Sequence, residues 1–296
     1  MTRQRNGQPL VTHIAQQPRL VDAAALARHR ARARLHADGS GAGFLHRMAA
    51  DEIEERLKDV NRTFTSPAIV TAQPEIWSRI VPGAEIAAPD EVLALRGTSH
   101  DLVLHAMALH WADDPVGQIV QCRRALRPDG LFLGVTLGGD TLTELRTALT
   151  EAEVAETGGL SPRVAPMADI RQWGALLQRA GLALPVADVV PGDVRYGSLT
   201  GLMHDLRAMG ETNALIDRHR RPARRSLFDR AATIYADRFG DAEGRLRATF
   251  ELVFLTGWAP HDSQQKPLRP GSARSRLAEA LQASYVNETS NGAPDR

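Results

Sequence analysis

A histidine and a tryptophan stand side by side just after an apolar run in the sequence. His110 and Trp111 follow the run DLVLHAM at residues 101–107. An imidazole can donate or accept a proton near neutral pH, and an indole offers a flat apolar face to a ring of a ligand. We therefore predict that this pair lies in a site for an organic ligand. In the alternative interpretation, Trp111 anchors the following helix and backbone groups satisfy His110.

Two glycines followed by an aspartate form a second candidate site. Gly138, Gly139 and Asp140 come directly after the apolar run LFLGVTL. Glycine allows a ligand to approach the backbone closely, and the N–H groups at the start of a helix attract anions. The pattern predicts that Asp140 belongs to the site, with His110 and Trp111 as the other catalytic candidates. The alternative is a plain strand-to-helix turn in which Asp140 is the N-cap.

Several kinds of chemistry lack support in the sequence. It has no HExxH or CxxC spacing, no Walker loop and no GxSxG elbow, so neither metal-dependent nor acyl-enzyme chemistry is indicated. The single cysteine, Cys122, cannot form a disulfide within the chain, and its place in an amphipathic helix predicts a packing role. The formal net charge is +1, which gives no field that would attract nucleic acid or a membrane surface.

Short apolar runs alternate with helical patterns along the chain, and this alternation is typical of an α/β protein. Buried strands are predicted at 68–71, 84–88, 101–107, 131–137, 186–190 and 250–257. Near-continuous apolar runs favour a mostly parallel sheet that is covered on both faces. The last two strands should pair as an antiparallel hairpin at the sheet edge, with a helical insert at about 198–240 between them.

The predicted organisation consists of a flexible N-terminus at 1–18, an N-terminal helical segment at 19–60, the main domain at 61–275 and a C-terminal tail at 276–296. The basic stretch RHRARARLH at 28–36 is interpreted as the solvated face of the first helix. The N-terminus has no apolar signal core, and no apolar run reaches the roughly 18 residues that cross a bilayer. We therefore predict a cytoplasmic location.

Four long stretches of the sequence resemble a known family. They are LHWADDPVGQIVQCRRALRPDGLFLGVTLGGDTLTELR at 109–146, GGLSPRVAPMADIRQWGALLQRAGLALPVAD at 158–188, LMHDLRAMGETNAL at 202–215 and GWAPHDSQQKPLRPGSA at 257–273. From about Phe44 onward the chain resembles the family of mitochondrial respiratory complex I assembly factor 5 and its bacterial relatives. A more distant resemblance is to the malonyl-carrier-protein O-methyltransferases of biotin synthesis.

The resemblance implies a fold, a cofactor and a partner. The implied fold is α/β, class I S-adenosylmethionine-methyltransferase-like (Rossmann-like), with a mostly parallel sheet of seven strands. The implied cofactor is S-adenosyl-L-methionine (SAM). The implied role is in complex I assembly, with a protein side chain as the modified group, which is an arginine in the mitochondrial branch. A complex I subunit or assembly intermediate would then be the partner and would hold the chain at the inner membrane.

The segment after the first predicted strand departs from the family pattern. In this fold a Gly-rich loop follows that strand, because a Cβ atom there would collide with the cofactor. Here the segment reads AIVTAQPE at 68–75, and no glycine occurs between Gly43 and Gly83. We therefore predict that SAM binds with a dissociation constant on the order of 1 mM or weaker. If SAM binds, the family fold assigns four residues to it, with Thr71 and Gln73 at the methionine end and Asp90 and His105 near the adenosine.

Three further polar residues lie in stretches that keep the family pattern, namely Arg163, His261 and Gln264. With Asp140 they are predicted to line a cleft that binds a protein segment, and Asp140 would be the carboxylate partner of an arginine. Two classes of function remain open. One is a SAM-dependent methyltransferase or related enzyme, which includes a carboxyl O-methyltransferase of the biotin-pathway type. The other is a non-catalytic complex I assembly factor that has lost SAM binding.

Overall fold

The computed structural model describes residues 19–35 and 43–265, and a single mixed sheet organises them. Its strands are β1 (Pro67–Thr71), β2 (Glu85–Ala87), β3 (His100–Ala106), β4 (Leu126–Leu137), β5 (Ala183–Tyr196) and β6 (Leu246–Trp258). Their order in the sheet is β2-β1-β3-β4-β6-β5. The prediction that all six apolar runs belong to one sheet is confirmed.

The described residues form six strands, so the prediction of seven is wrong. β2 is an edge strand that pairs in parallel with β1, and β1 pairs in parallel with β3. Each further parallel strand needs a crossover connection of roughly a dozen residues or more. Only residues 88–99 connect β2 to β3, which is too short for an additional strand and its two crossovers.

The antiparallel hairpin at the other edge is confirmed. β5 and β6 pair in antiparallel register from Ala183 opposite Trp258 to Tyr196 opposite Leu246. β6 also runs antiparallel to β4, while β3 and β4 are parallel. The carboxyl ends of β1, β3 and β4 therefore lie at the same edge of the sheet, which is where open α/β sheets bind their ligands.

Helices cover both faces of the sheet. They are α1 (Ala23–Leu35), α2 (Phe44–Asp59), α3 (Pro74–Trp77), α4 (Pro115–Ala125), α5 (Thr143–Thr157), α6 (Ile170–Arg179), α7 (Leu199–Met209) and α8 (Arg225–Phe239). One apolar cluster joins the sheet to α2, α5, α7 and α8, and another joins it to α4 and α6. Cys122 lies fully buried in the second cluster, and burial raises the pKa of its thiol, which confirms the predicted packing role.

The predicted helical insert between β5 and β6 is confirmed, and it consists of the two helices α7 and α8. α7 ends at Gly210, whose φ of 83° is left-handed and favours glycine. Pro222 lies in the following segment, before α8 begins at Arg225.

The chain divides into a unit that ends at Pro260 and a second unit that begins at His261, of which residues 261–265 are described. The predicted segments at 1–18 and 276–296 lie outside the described residues. The other predicted domain boundaries stay predictions. Among the helices of the described ranges, none has both the length and the apolar character needed to cross a membrane.

Candidate functional site

A carboxylate from the helical insert is the centre of the candidate site. Glu211 directly follows the left-handed residue Gly210 at the end of α7. Its Oε2 atom accepts a hydrogen bond from Trp111 Nε1 at 2.6 Å and lies 3.0 Å from His110 Nε2. The other ring nitrogen of His110 lies 3.3 Å from the Thr136 hydroxyl, so the network assigns the Nε2 proton to the bond with Glu211. His110 and Trp111 thus share one acidic partner.

Glu211 is ionised although only 10% of its side chain is exposed. Burial alone would raise the pKa of its carboxyl. The electrostatic interaction with His110, the hydrogen bonds from His110 and Trp111 and the charge of Arg30 outweigh burial, and they lower the pKa to about 2. A carboxylate with this pKa is negatively charged near neutral pH. It is therefore suited to bind a cation and poorly suited to carry a proton.

A cavity of about 250 Å³ opens beside Glu211. Its volume lies just below the roughly 300 Å³ at which small-molecule pockets begin, which suits one long side chain. The polar lining residues are Arg163, Arg207, Glu211, Thr212 and Asn213, together with the indole of Trp111. The remaining lining residues are apolar and come from α2, β4, α5, the segment before α6, α7, α8 and β6: Leu45, Leu137, Leu142, Leu145, Leu149, Val164, Ala165, Met167, Met203, Leu206, Phe228 and Phe250. The cavity therefore combines an aliphatic wall with the carboxylate of Glu211, and the arginines Arg163 and Arg207 also line it.

Arg163 lines this cavity, but another residue of the protein holds its guanidinium. Its Nε and Nη2 atoms donate to the two carboxylate oxygens of Glu153 at 3.0 and 2.7 Å. The Ser161 hydroxyl also donates to Glu153, at 2.7 Å. Burial would raise the pKa of Glu153, yet the bonds from Arg163 and Ser161 lower it. Arg163 thus builds the wall of the cavity, and its contact with a partner stays a prediction.

The segment after β1 forms a closed turn. Thr71 is buried, and its hydroxyl accepts a hydrogen bond from the Gln73 N–H at 3.1 Å. The side-chain amide of Gln73 donates to the Met209 carbonyl at 3.3 Å. α3 begins with Pro74, whose nitrogen carries no hydrogen. The backbone N–H and the side-chain amide of Gln73 therefore bond within the protein rather than to a cofactor at this turn.

Gln118 of α4 connects the two residues that are predicted for the adenosine end. Its Oε1 atom lies 2.7 Å from His105 Nε2, and its Nε2 atom donates to the Asp90 carbonyl at 3.1 Å. Because Oε1 can only accept, His105 carries its proton on Nε2. His105 Nδ1 is then an acceptor, and it has no hydrogen-bond partner among the described residues. Burial lowers the pKa of His105 to about 4, although the bond to Gln118 acts in the opposite direction.

Glu251 of β6 holds Gly138 and Asp140 in place. The Gly138 N–H donates to the Glu251 carbonyl at 2.9 Å, and the Asp140 N–H donates to Glu251 Oε2 at 3.0 Å. A Cβ atom on Gly138 would lie 2.7 Å from Val253 Cγ2, so packing against β6 explains this glycine. α5 has Leu142 as its N-cap residue, so the alternative of an N-cap role for Asp140 is wrong. Asp140 is exposed, and its catalytic role stays a prediction.

His261 and Gln264 lie in the second unit of the chain and form a local turn there. The His261 N–H donates to Gln264 Oε1 at 3.2 Å, and His261 Nδ1 lies 2.7 Å from the Ser263 hydroxyl. Their predicted part in partner binding stays a prediction.

The sequence interpretation missed Glu211. This residue lies in the stretch LMHDLRAMGETNAL, which carries part of the family resemblance. The available signal was the glycine before it, since a glycine after an amphipathic helix predicts a left-handed C-cap. That signal predicts where the helix ends, but it does not predict which distant residues the next side chain meets.

Known proteins match the chain over most of its length. Residues 37–134 match a family model described as "Methyltransferase domain". Arginine-hydroxylase NDUFAF5, mitochondrial, from Danio rerio is 36% identical over 199 residues, which cover 67% of this chain and 62% of the relative. A malonyl-[acyl-carrier protein] O-methyltransferase from Laribacter hongkongensis is 36% identical over 188 residues, which cover 64% and 61%. The chain thus spans about three fifths of the length of these two relatives.

Among solved structures, one from Anaeromyxobacter dehalogenans that is described as a type II methyltransferase matches with a TM-score of 0.45 and 17% identity. The match covers 71% of this chain and 97% of that one.

Proposed function

We propose that this chain, which is a class I methyltransferase-like protein and a relative of the NDUFAF5 proteins, binds an arginine-bearing segment of a complex I protein during assembly of that complex. The arginine side chain would enter the cavity, with its guanidinium facing Glu211. NDUFAF5 proteins such as those of Danio rerio and Homo sapiens bear the name arginine-hydroxylase, which supports arginine as the ligand. In this proposal the chain is cytoplasmic and reaches the inner membrane through its partner.

The ionised carboxylate of Glu211 at the wall of an apolar cavity is the observation that carries this proposal. A guanidinium presents planar donors that match a carboxylate, and the bond strengthens where water is excluded. The aliphatic walls would contact the methylene stem of the arginine, because long cationic side chains lay their stems on apolar surface. The indole of Trp111 adds an aromatic face close to the same carboxylate, which also favours a guanidinium.

Glu211→Gln should reduce capture of complex I proteins about tenfold, because one charge-assisted bond is worth roughly 1.4 kcal/mol or more. The measurement is affinity capture of the tagged chain from detergent-solubilised membranes of its native cells, with complex I subunits quantified by mass spectrometry. Asp140→Asn is the matched control, since it removes one carboxylate charge at an exposed position that does not line the cavity.

The two variants separate three outcomes. If only Glu211→Gln reduces the capture of complex I proteins, the result supports the proposal. If only Asp140→Asn reduces this capture, Asp140 is the carboxylate partner and the binding site lies outside the cavity. If both variants capture complex I proteins as wild type does, neither carboxylate binds the partner and the proposed function is wrong. Thermal unfolding of each variant shows that the comparison is made on folded protein.

SAM-dependent methyl transfer is the second candidate function, and it is favoured by the pairing of Asp90 with His105 through Gln118. The turn after β1 argues against it. Gln73 bonds to Met209 and Thr71 bonds to Gln73, so the side chains fill the place in which a glycine loop would approach the cofactor. The residues present therefore do not fit SAM in the manner of this fold, and we derive no reaction step from it.

Isothermal titration should show a dissociation constant for SAM on the order of 1 mM or weaker, which is about 4 kcal/mol less favourable than micromolar binding. The physical reason is the turn at Thr71 to Pro74, which has no glycine to let the cofactor approach the backbone and in which the Gln73 N–H bonds to the Thr71 hydroxyl. The titration needs S-adenosylhomocysteine as a parallel ligand, because it lacks the methyl group and the positive charge of SAM. A dissociation constant near 1 μM for either ligand would show that another geometry holds the cofactor.

A further inference from the structure

Two arginines line the cavity together with Glu211, and they differ in their partners. Arg163 donates two hydrogen bonds to the carboxylate of Glu153, which balances its charge within the wall. Arg207 is exposed, and its guanidinium has no hydrogen bond or ion pair with any residue that the structure describes. Arg207 is therefore the lining cation that is available to a ligand of the cavity.

Arg207 and Glu211 lie at different depths of the same cavity. Arg207 is in the last turn of α7, which ends at Met209, and Glu211 is four positions further along the chain. Four positions correspond to about one turn of helix, or roughly 6 Å along its axis. Arg207 is exposed, whereas only 10% of the Glu211 side chain is exposed. The positive charge therefore lies toward the mouth of the cavity and the negative charge toward its interior.

The loop after α7 is fixed at two points by other parts of the chain. The Asn213 side-chain amide donates to the Pro162 carbonyl at 2.9 Å. From α1, His29 Nδ1 lies 3.1 Å from the Thr212 carbonyl. The interpretation of residues 28–36 as a solvated basic helix is therefore wrong for the face that carries His29. Because both contacts hold the loop, the spacing of the two charges is set before a ligand binds.

An arginine-bearing segment in this cavity brings its neighbouring residues to Arg207. With the guanidinium of the bound arginine at Glu211, the Cα atom of that arginine lies one side-chain length away, at the mouth. Consecutive Cα atoms are about 3.8 Å apart, so a side chain one or two positions from the arginine reaches Arg207. A carboxylate there would pair with Arg207, whereas a basic neighbour would be repelled.

We propose that Arg207 selects segments in which an aspartate or a glutamate stands one or two positions from the arginine. This inference rests on the proposed function and narrows it, because Glu211 binds the guanidinium and Arg207 binds the neighbouring carboxylate. The two charges of the cavity are then matched by two opposite charges of the ligand. Exposed ion pairs are weak, so we expect acidic neighbours to be preferred over neutral ones by about three- to fivefold in affinity.

Binding of the fluorescently labelled chain to a peptide array tests this selection. Each short peptide has a central arginine and one variable neighbour (aspartate, asparagine or lysine) among glycine and serine, and a parallel set has citrulline instead of arginine. Wild type should prefer arginine over citrulline and an aspartate neighbour over asparagine. Arg207→Gln should lose the preference for aspartate, and Arg207→Glu should shift it to lysine, while both variants still prefer arginine.

The array separates failure of this inference from failure of the proposed function. If wild type does not distinguish arginine from citrulline, arginine is not the ligand and both are wrong. If wild type prefers arginine, but shows no preference for aspartate or keeps it in Arg207→Gln, only the role of Arg207 is wrong. Arg230→Gln is the matched control, since Arg230 is an exposed arginine of α8 that does not line the cavity. It should bind as wild type does, and an equal loss in this variant would contradict the assignment.

Discussion

Glu211→Ala should lower the free energy of unfolding by about 3 to 5 kcal/mol at pH 7. The carboxylate accepts bonds from Trp111 Nε1 and His110 Nε2, and both of these side chains are buried. Alanine leaves both donors without an acceptor and removes a negative charge that interacts with Arg30. Urea unfolding followed by tryptophan fluorescence and by circular dichroism measures the loss.

Two further variants define the origin of this loss. Glu55→Ala is the matched control, because Glu55 forms an exposed ion pair with Lys58 on α2 and should contribute less than about 1 kcal/mol. Glu211→Gln keeps an acceptor oxygen, so its loss in the free energy of unfolding should lie between those of Glu211→Ala and Glu55→Ala. If Glu211→Ala unfolds at the same urea concentration as Glu55→Ala, the bonds to His110 and Trp111 do not stabilise the fold.

Acidification from pH 7 to pH 5 should cost about 3 to 4 kcal/mol of stability through two buried histidines. Burial lowers the pKa of His46 and of His105 from 6.5 to about 4. As the pH falls below 6.5, the unfolded chain takes up these protons while the folded chain does not. The stabilisation is therefore complete above pH 6.5 and is lost progressively down to about pH 4. The free energy of unfolding, measured with urea at half-unit pH steps, gives the slope.

Single substitutions show which histidine causes the loss of stability between pH 7 and pH 5. His46 accepts a bond from Trp77 Nε1 at 3.1 Å through Nδ1, which glutamine can replace in part. His46→Gln should remove about half of the loss between pH 7 and pH 5. His204→Gln, at an exposed position of α7, should leave the loss as in wild type. A wild-type stability that is flat over this pH range would contradict the burial of both histidines in neutral form.

Glu211 affects stability in a lower pH window. Its pKa is lowered from 4.5 to about 2, so the unfolded chain binds this proton first as the pH falls. The stabilisation by Glu211 is therefore present above pH 4.5 and is lost between about pH 4.5 and pH 2. This window overlaps that of the histidines only between about pH 4.5 and pH 4.

The sequence by itself determined the features that depend on residues close together in the chain. The central strands β1, β3 and β4 were predictable because continuous apolar runs mark strands that are covered on both faces. The start of α4 was predictable because the Asp114 carboxylate accepts the Gly117 N–H three residues later, at 2.8 Å, and Pro115 needs no donor. Each of these signals acts within one or two turns of backbone.

Only the tertiary structure decided which side chains form the site. Glu211 and His110 are 101 positions apart, and they meet because a left-handed Gly210 ends α7 above the carboxyl end of the sheet. α1 packs against that same glycine, and the charge of Arg30 acts on Glu211 from there. Asp140, in contrast, keeps the family pattern but lies exposed, while its N–H is bound by Glu251 of β6. Periodicity and capping specify where an element begins and ends, whereas the meeting of distant side chains depends on how the elements pack, and no local pattern encodes that.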